Sequence, residues 1–524
     1  MLWAVLWAVL PVVLPLAGSL TGTTSSAQAR PRVRGDATPT VARPVRHRVP
    51  PPLATPAARA APRPADDEVE PTEARALQIA SVRIIGREQV SARQIDAILR
   101  GEGLIAGADV LWPSDVRIAR ARDRLRATGY FKSVSVRVVP LADRDDAVAL
   151  ELKLVERSSL TLTELYAGSS RMTPFHGGFA VAERNFLGRA IHLGGALVWG
   201  TLPRIEQSRR QQAYQVFVEA PRLGNAPLGV RASGYVISAA EPYRASGAAD
   251  DPDPANFRAI DVGRIGGAVG LVFPVLPTLT LGVDYRFERV DAVVSSAPTW
   301  VRPDGVAKPV ELGLVDGQRR LTSAHFGLVW DARDEVILAG KGARVAFDLQ
   351  LSSPATGSQY EYVKLTIAGG YSFRLPWRHW LTPSASGGQI AGRAPVFERF
   401  YSGDLSPWTP GRELGVRYST RNPIDVFGTG IDTRTYGTLF GRFDLEYAIP
   451  LFRRLRTRGI YGGDLFINAG VFTLVGDAAE RREHRAAREQ VAPAGFAANL
   501  GLRIDTAAGT FNLSIGNLLR RTPL

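Results

Sequence analysis

From Leu160 onward, hydrophobic and polar residues alternate with a period of two. That is the spacing of β-strands whose two faces meet different surroundings. Leu279, Leu281, Val283, Tyr285 and Phe287 share one face, and Asp284, Arg286 and Glu288 the other. Val363, Leu365, Ile367, Tyr371 and Phe373 oppose Lys364, Thr366, Ala368 and Ser372. Phe443, Leu445, Tyr447 and Ile449 oppose Arg442, Asp444 and Glu446. Three consecutive charges on one face are too costly for the core of a soluble sandwich. The apolar face is too extensive to meet water. A closed barrel with lipid outside and a wet lumen satisfies both faces. Turn spacing divides the region into about fifteen such segments. Short turns at 450–459 and 505–509 contrast with long connections at 241–262, 291–321, 391–435 and 474–493. Barrels place short turns on one rim and long loops on the other.

Residues 77–158 follow a different pattern. The strand IASVRII ends at Gly86. Ser91 opens a helix, QIDAILR, and Pro113-Ser114 opens a second, with Ile118, Ala121 and Leu125 at helical spacing. Gly129 stops it. Val134, Val136 and Val138 then alternate with polar residues, and Val148, Leu150, Leu152 and Leu154 do the same. The predicted order is β-α-α-β-β.

Residues 2–17 form an apolar run, followed by Ala27-Gln28-Ala29, a small-residue cleavage pattern. Residues 1–29 therefore read as a signal peptide, lacking only the usual basic start. Residues 30–76 are rich in Pro, Ala and Arg, too poor in large apolar residues to build a core, and read as a disordered tether. The remainder, 159–524, is the expected barrel. The chain has no cysteine, which excludes disulfides and thiolate metal sites. Its net charge of +14 is spread over every segment, so it does not point to nucleic acid. The six histidines are scattered without ligand spacing, and no nucleophile elbow or phosphate loop is present. No catalytic group, metal or cofactor is expected.

Several motifs together resemble one family. VRIIG at 82–86, ATGYFKSVSVRV at 127–138 and LELKLVE at 150–156 resemble a POTRA domain. AERNFLGRA at 182–190 resembles an early barrel hairpin of the BamA/TamA superfamily of outer-membrane assembly factors, the bacterial surface-antigen type. Asp331, Arg333, Asp334 and Gly342 match its D-x-R-D…G hairpin. FERFYSGD at 397–404, with Phe397, Phe400 and Gly403, resembles the start of its long sixth loop, and DLFINAGVF at 464–472 a later strand.

The resemblance implies a transmembrane barrel of about 16 antiparallel strands. It also implies a sixth loop folded into the lumen, with a tip arginine set against a wall carboxylate. GVRY at 415–418 supplies Arg417, and Arg412 is its rival. Asn468 takes the usual position of the partner, and Asp464, Asp444 and Glu446 are the carboxylates able to replace it. The end, LLRRTPL, lacks the aromatic with which assembly factors usually close.

The implied function is assembly or translocation in the Gram-negative outer membrane, with the POTRA domain and tether in the periplasm. Unfolded outer-membrane or exported proteins would pair with the POTRA edge strand, at Val134, Val136 and Val138, or with the barrel seam. Outer-membrane lipid, lipopolysaccharide and periplasmic accessory proteins are the other expected partners. A single POTRA domain points to an accessory member such as a specialised translocator. The alternative is a passive pore or structural barrel that has lost the activity.

Overall fold

The computed structural model describes residues 75–516 apart from 113–114, 129, 142–143, 207, 222–225, 227, 277, 295, 335–337, 339, 406–411, 421–424, 454–459, 487–489 and 507. The expected signal peptide, nearly all of the tether, Pro113-Ser114, Gly129 and the terminal LLRRTPL lie outside the described residues.

The first unit comprises β1 (Arg75–Ile85), α1 (Ala92–Gly101), β2 (Asp109–Trp112), α2 (Val116–Ala127), β3 (Phe131–Leu141) and β4 (Arg144–Glu156). Its sheet runs β2-β1-β4-β3, with β1 and β4 parallel and the outer pairs antiparallel. The structure thus adds one strand, β2, to the expected order. Its four residues are too few to show a period. Ile79, Ile95, Leu99, Leu125, Leu150 and Leu152 form the buried core between sheet and helices.

Ser91 stands at the start of α1 without a side-chain capping bond. Asp115 caps α2, accepting the Arg117 amide at 2.8 Å. Bonds from the Arg117 guanidinium hold the Asp115 carboxyl down at about 2. At the far end of β4, the Glu156 carboxylate accepts the amides of Glu88, Gln89 and Val90 at 2.7–2.9 Å, fixing the turn after β1.

The second unit is built on β5 (Leu160–Gly168), β6 (His176–Phe186), β7 (Ile191–Gly200), β8 (Gln212–Ala220), β9 (Gly229–Arg244), β10 (Phe257–Leu276) and β11 (Leu279–Val293). An outer hairpin, β12 (Thr299–Val301) with β13 (Ala307–Pro309), precedes β14 (Gly317–Asp331), β15 (Gly342–Ser352), β16 (Glu361–Arg374) and β17 (Trp380–Arg393). The described residues of loop 394–438 include four two-residue strands: β18 (Phe400–Tyr401), β19 (Arg412–Glu413), β20 (Val416–Arg417) and β21 (Tyr436–Gly437). Then come β22 (Leu439–Arg453), β23 (Ile460–Val475), α3 (Ala478–Ala486), β24 (Ala494–Thr506) and β25 (Gly509–Gly516).

Among the described residues, fifteen strands join in chain order into one antiparallel meander. This equals the number read from periodicity and is one short of the sixteen implied by resemblance. Several connections expected to be long are shorter. β9 and β10 extend through most of 241–262, and 474–493 contains α3. Alternation fades there because strand ends beyond the membrane no longer meet lipid.

The two faces are inverted relative to a soluble protein. Phe287 is 51% exposed and Phe443 54%, whereas Glu288 is fully buried and Asp444 nearly so. Exposed apolar residues cover the outside, and charges point inward. The D-x-R-D…G motif forms the turn between β14 and β15. Asp331 pairs with Arg333 at 2.6 Å, and Gly342 sits at φ 127°, where a Cβ would lie 2.3 Å from the Ala332 carbonyl oxygen.

Two predictions follow from this layout. Val216, exposed at the middle of β8, faces lipid, whereas neighbouring Gln215 faces the lumen. Val216→Arg should lower barrel stability by about 2–4 kcal/mol in lipid vesicles, and Gln215→Arg by much less. Urea unfolding of the two variants compares them. In the first unit, the Asp115 carboxyl titrates lower in the fold than its ordinary 3.8. Its stabilisation is complete above that value and is lost as pH falls towards about 2. Asp115→Asn should therefore speed amide exchange in α2 of the full chain at neutral pH. The difference from the parent should close below about pH 4.

Candidate functional site: a lumen plug and a strand seam

The described residues of loop 394–438, between β17 and β22, pack inside the lumen. Val396, Phe397, Phe400, Leu405 and Ile431 join one buried cluster with wall residues Ile260, Val262, Val290, Leu321 and Leu474. The lumen, which alternation alone reads as wet, is apolar where the loop fills it. The ends of these strands remote from the first unit carry apolar residues on the inward face because they meet the plug, not water.

A chain of ionised groups anchors the plug to the wall. The Glu398 carboxylate pairs with Arg286 of β11 at 2.8 Å. Arg286 also pairs with Glu288, which in turn binds Arg264 of β10. Lys364 of β16 donates to the Glu398 carbonyl at 2.9 Å, and its ammonium lies 3.8 Å from the carboxylate. The Arg264 guanidinium lies 4.1 Å from the centre of the Phe397 ring. Charge-assisted bonds of this kind are stronger than neutral ones, and the buried charges leave none of the partners dispensable. Arg286 and Glu288 stand out in the sequence as inward charges. Glu398 carries no such signal in the sequence beyond its place among the aromatic residues of FERFYSGD.

Arg417 is fully buried in the tip. Its Nε donates to the Ser419 carbonyl at 2.8 Å and to the Tyr401 hydroxyl at 3.2 Å. Its Nη1 donates to the Pro242 carbonyl at 3.3 Å and to the Tyr436 hydroxyl at 3.2 Å. Tyr436 passes the link on to the Glu241 carboxylate at 3.0 Å. The nearest acid therefore acts through a tyrosine and comes from β9.

The four expected partners lie elsewhere. Asp444 pairs with Arg442, and Glu446 with Arg503 at 3.3 Å. Asn468 accepts from Asn499 at 3.5 Å, and Asp464 is buried on the same face of β23. They line the β22–β24 wall, but the tip rests against β9 and β10. Gly415, at φ 80°, allows this approach: a Cβ there would lie 2.9 Å from the Arg264 guanidinium. Tyr418 stacks on His176 of β6 at 4.3 Å. Arg412 serves inside the plug, pairing with Asp404 at 2.6 Å and donating to the Phe397 and Arg399 carbonyls at 3.1 Å. Gly403 lies in the short helical turn between Phe400 and Asp404.

The other feature is the seam. β5 and β25 end the meander, and no ladder joins them among the described residues. With fifteen antiparallel strands, these two run in the same direction. They meet at the rim nearer the first unit, where the Leu162 amide donates to the Ala508 carbonyl at 2.6 Å. Beside that bond, Arg157 grips Asp505 with two bonds at 2.6 and 2.9 Å. Arg157 lies just after β4, so it ties the first unit to the last hairpin. Tyr130 and His192 add a bond of 3.1 Å between the units. In the first unit, β3 is a sheet edge. Val134 is buried and Val136 and Val138 pack on the same core, so the edge offers its backbone and not these side chains.

A model of the Omp85 superfamily domain matches residues 185–523, more than half of the chain. The chain belongs to the Omp85 superfamily. This BamA/TamA-like membership makes it an outer-membrane β-barrel and not an enzyme. It is 23% identical over 314 residues to the outer membrane protein assembly factor BamA of Nitratidesulfovibrio vulgaris, covering 59% of this chain. It spans only 35% of that curated relative's length. Among solved structures, CdiB from Escherichia coli is similar in fold, with a TM-score of 0.52 at 13% identity, over 84% of this chain and 72% of that one. BamA from Haemophilus ducreyi lacking POTRA domains 1–3 gives 0.44 at 14% identity, over 84% and 81%.

The ionic anchor yields a prediction for this Omp85 barrel. Glu398→Gln leaves Lys364 without its buried counter-charge and Arg286 with Glu288 alone, at a cost of about 3–5 kcal/mol. The plug should loosen, and single-channel conductance in planar bilayers should rise. Arg417→Ala should raise it as well. Arg417→Lys should restore it only in part, because an ammonium cannot reach acceptors arranged around a planar fork.

Proposed function

We propose that this chain assembles or translocates β-rich polypeptides at the outer membrane, by pairing their strands with the seam and with the edge of a periplasmic POTRA domain spanning residues 77–158. The open seam carries the reading. Two edge strands that no ladder joins among the described residues offer a template for β-augmentation. The Leu162–Ala508 bond and the Arg157–Asp505 pair hold one end of that seam, where a domain movement can act on it. On the first unit, β2 already covers part of one sheet edge, which leaves β3 as the long free edge. Family membership supports outer-membrane protein assembly or secretion in general terms. The substrates are unfolded outer-membrane or exported proteins, with periplasmic accessory proteins and lipopolysaccharide as further partners.

The absence of cysteine makes a clean test possible. A photo-reactive probe attached at Ser133→Cys on β3, or at Leu165→Cys on β5, should capture an unfolded outer-membrane or exported protein in cells. The same probe at Val216→Cys, on the lipid face, should not. Capture equal at all three sites, or none at either edge, would favour a passive pore or structural barrel that has kept the fold without the activity.

A further inference from the structure

The outer wall formed by β9, β10 and β11 contains a feature that translocation does not use. On β10 and β11 the odd-numbered residues face outward. Ile265, Val269, Tyr285 and Phe287 are exposed, while Arg264 and Glu288 are buried inside. On β9 the even-numbered residues face outward, because Val236 pairs with Ile265 and Gly234 with Gly267. Gly234 and Gly267 thus lie side by side and present no side chain to the lipid. The result is a trough of about 550 Å³ lined by Ala232, Ile265, Gly267, Val269, Tyr285 and Phe287, with Arg289 at its end. The space above Gly234 is open, since a Cβ there would meet nothing closer than 3.9 Å.

Arg289 is the first outward position beyond Phe287, in the direction away from the first unit. Arg320 of β14 stands directly opposite it. Both side chains are exposed. Like charges opposite one another on one sheet face repel, so this pairing asks for an anion. The Arg320 Nε donates to the Gly357 carbonyl at 2.6 Å, and Asp291 stands at the next outward position of β11. No carboxylate is ion-paired with Arg289 or Arg320 among the described residues. The two arginines sit just past the aromatic pair Tyr285 and Phe287. Aromatic girdles mark the boundary between hydrocarbon and headgroups in such barrels.

We propose that the trough and the Arg289–Arg320 pair bind a phosphate-bearing lipid of the leaflet remote from the first unit, with an acyl chain in the trough and the phosphate between the guanidiniums. The proposal needs the barrel in its membrane and is independent of strand pairing at the seam. Arginine forks match phosphate geometry, and the apolar trough rewards a chain laid along it.

The test uses the full chain folded in phosphatidylcholine nanodiscs. Either bisphosphorylated lipid A or the same lipid stripped of its phosphates is added. Retained lipid per barrel is counted by native mass spectrometry, and folding is checked by heat-dependent gel mobility. The parent should prefer the phosphorylated lipid. The double variant Arg289→Gln/Arg320→Gln should weaken that binding about 25-fold, at about fivefold per arginine, and leave the stripped lipid unaffected. Gly234→Leu should weaken both lipids by filling the trough. It keeps the test decisive if the double variant does not fold. Arg482→Gln, on exposed α3, should change nothing. The proposal fails if the parent retains both lipids equally, if Gly234→Leu binds like the parent, or if Arg482→Gln loses as much as the double variant. Displacement of the lipid by millimolar inorganic phosphate also overturns it, because the site would then hold a free anion.

Discussion

A charged face turned inward has to be neutralised where water is scarce, and the rest of this barrel is arranged around that constraint. In hydrocarbon, the backbone is satisfied by the ladder and the outward side chains must be apolar. The polar residues of every strand are then forced inside. At the end remote from the first unit, where the plug excludes water, Arg264, Arg286 and Lys364 would be buried cations without Glu288 and Glu398. Glu398 is the only one of these five that the loop supplies. Through it, the wall's electrostatics determine where the plug is held, and the surrounding apolar cluster closes over the charges.

The two ends of the lumen are held by different chemistry. The end remote from the first unit is a packed core of aliphatic and aromatic groups with ionised pairs at its base. Arg417 lies beside it among neutral acceptors, and its charge reaches Glu241 only through the Tyr436 hydroxyl. The β22–β24 wall balances its own charges locally, with Arg442 on Asp444 and Arg503 on Glu446. It therefore has no need of the loop arginine. At the opposite rim, Arg157 and Asp505 join the first unit to the seam. Holding the plug and holding the seam thus depend on separate residues, and either can be altered without direct contact with the other.

Alternation by itself determined most of the fold. The inward charges of β11, β16 and β22 and the outward Phe287 and Phe443 were legible because a strand has only two faces. Lipid and lumen cannot exchange those faces without burying charge in hydrocarbon. The helices of the first unit were equally legible, apart from β2, which is too short to carry a period. Sequence motifs also located the plug's entry at FERFYSGD and the turn at Gly342.

Only the tertiary structure decided which inward residues meet. Period two says that Asp464, Asn468, Asp444 and Glu446 face the lumen, but it does not say on which side of the lumen a long loop comes to rest. That depended on Glu398 reaching Arg286 and on Gly415 making room for Arg264, contacts between residues more than a hundred positions apart. Glu241 and Tyr436 became Arg417's environment for the same reason. The pairing of Arg289 with Arg320 likewise required strand register, which sets neighbours across the sheet and leaves no local trace in the chain.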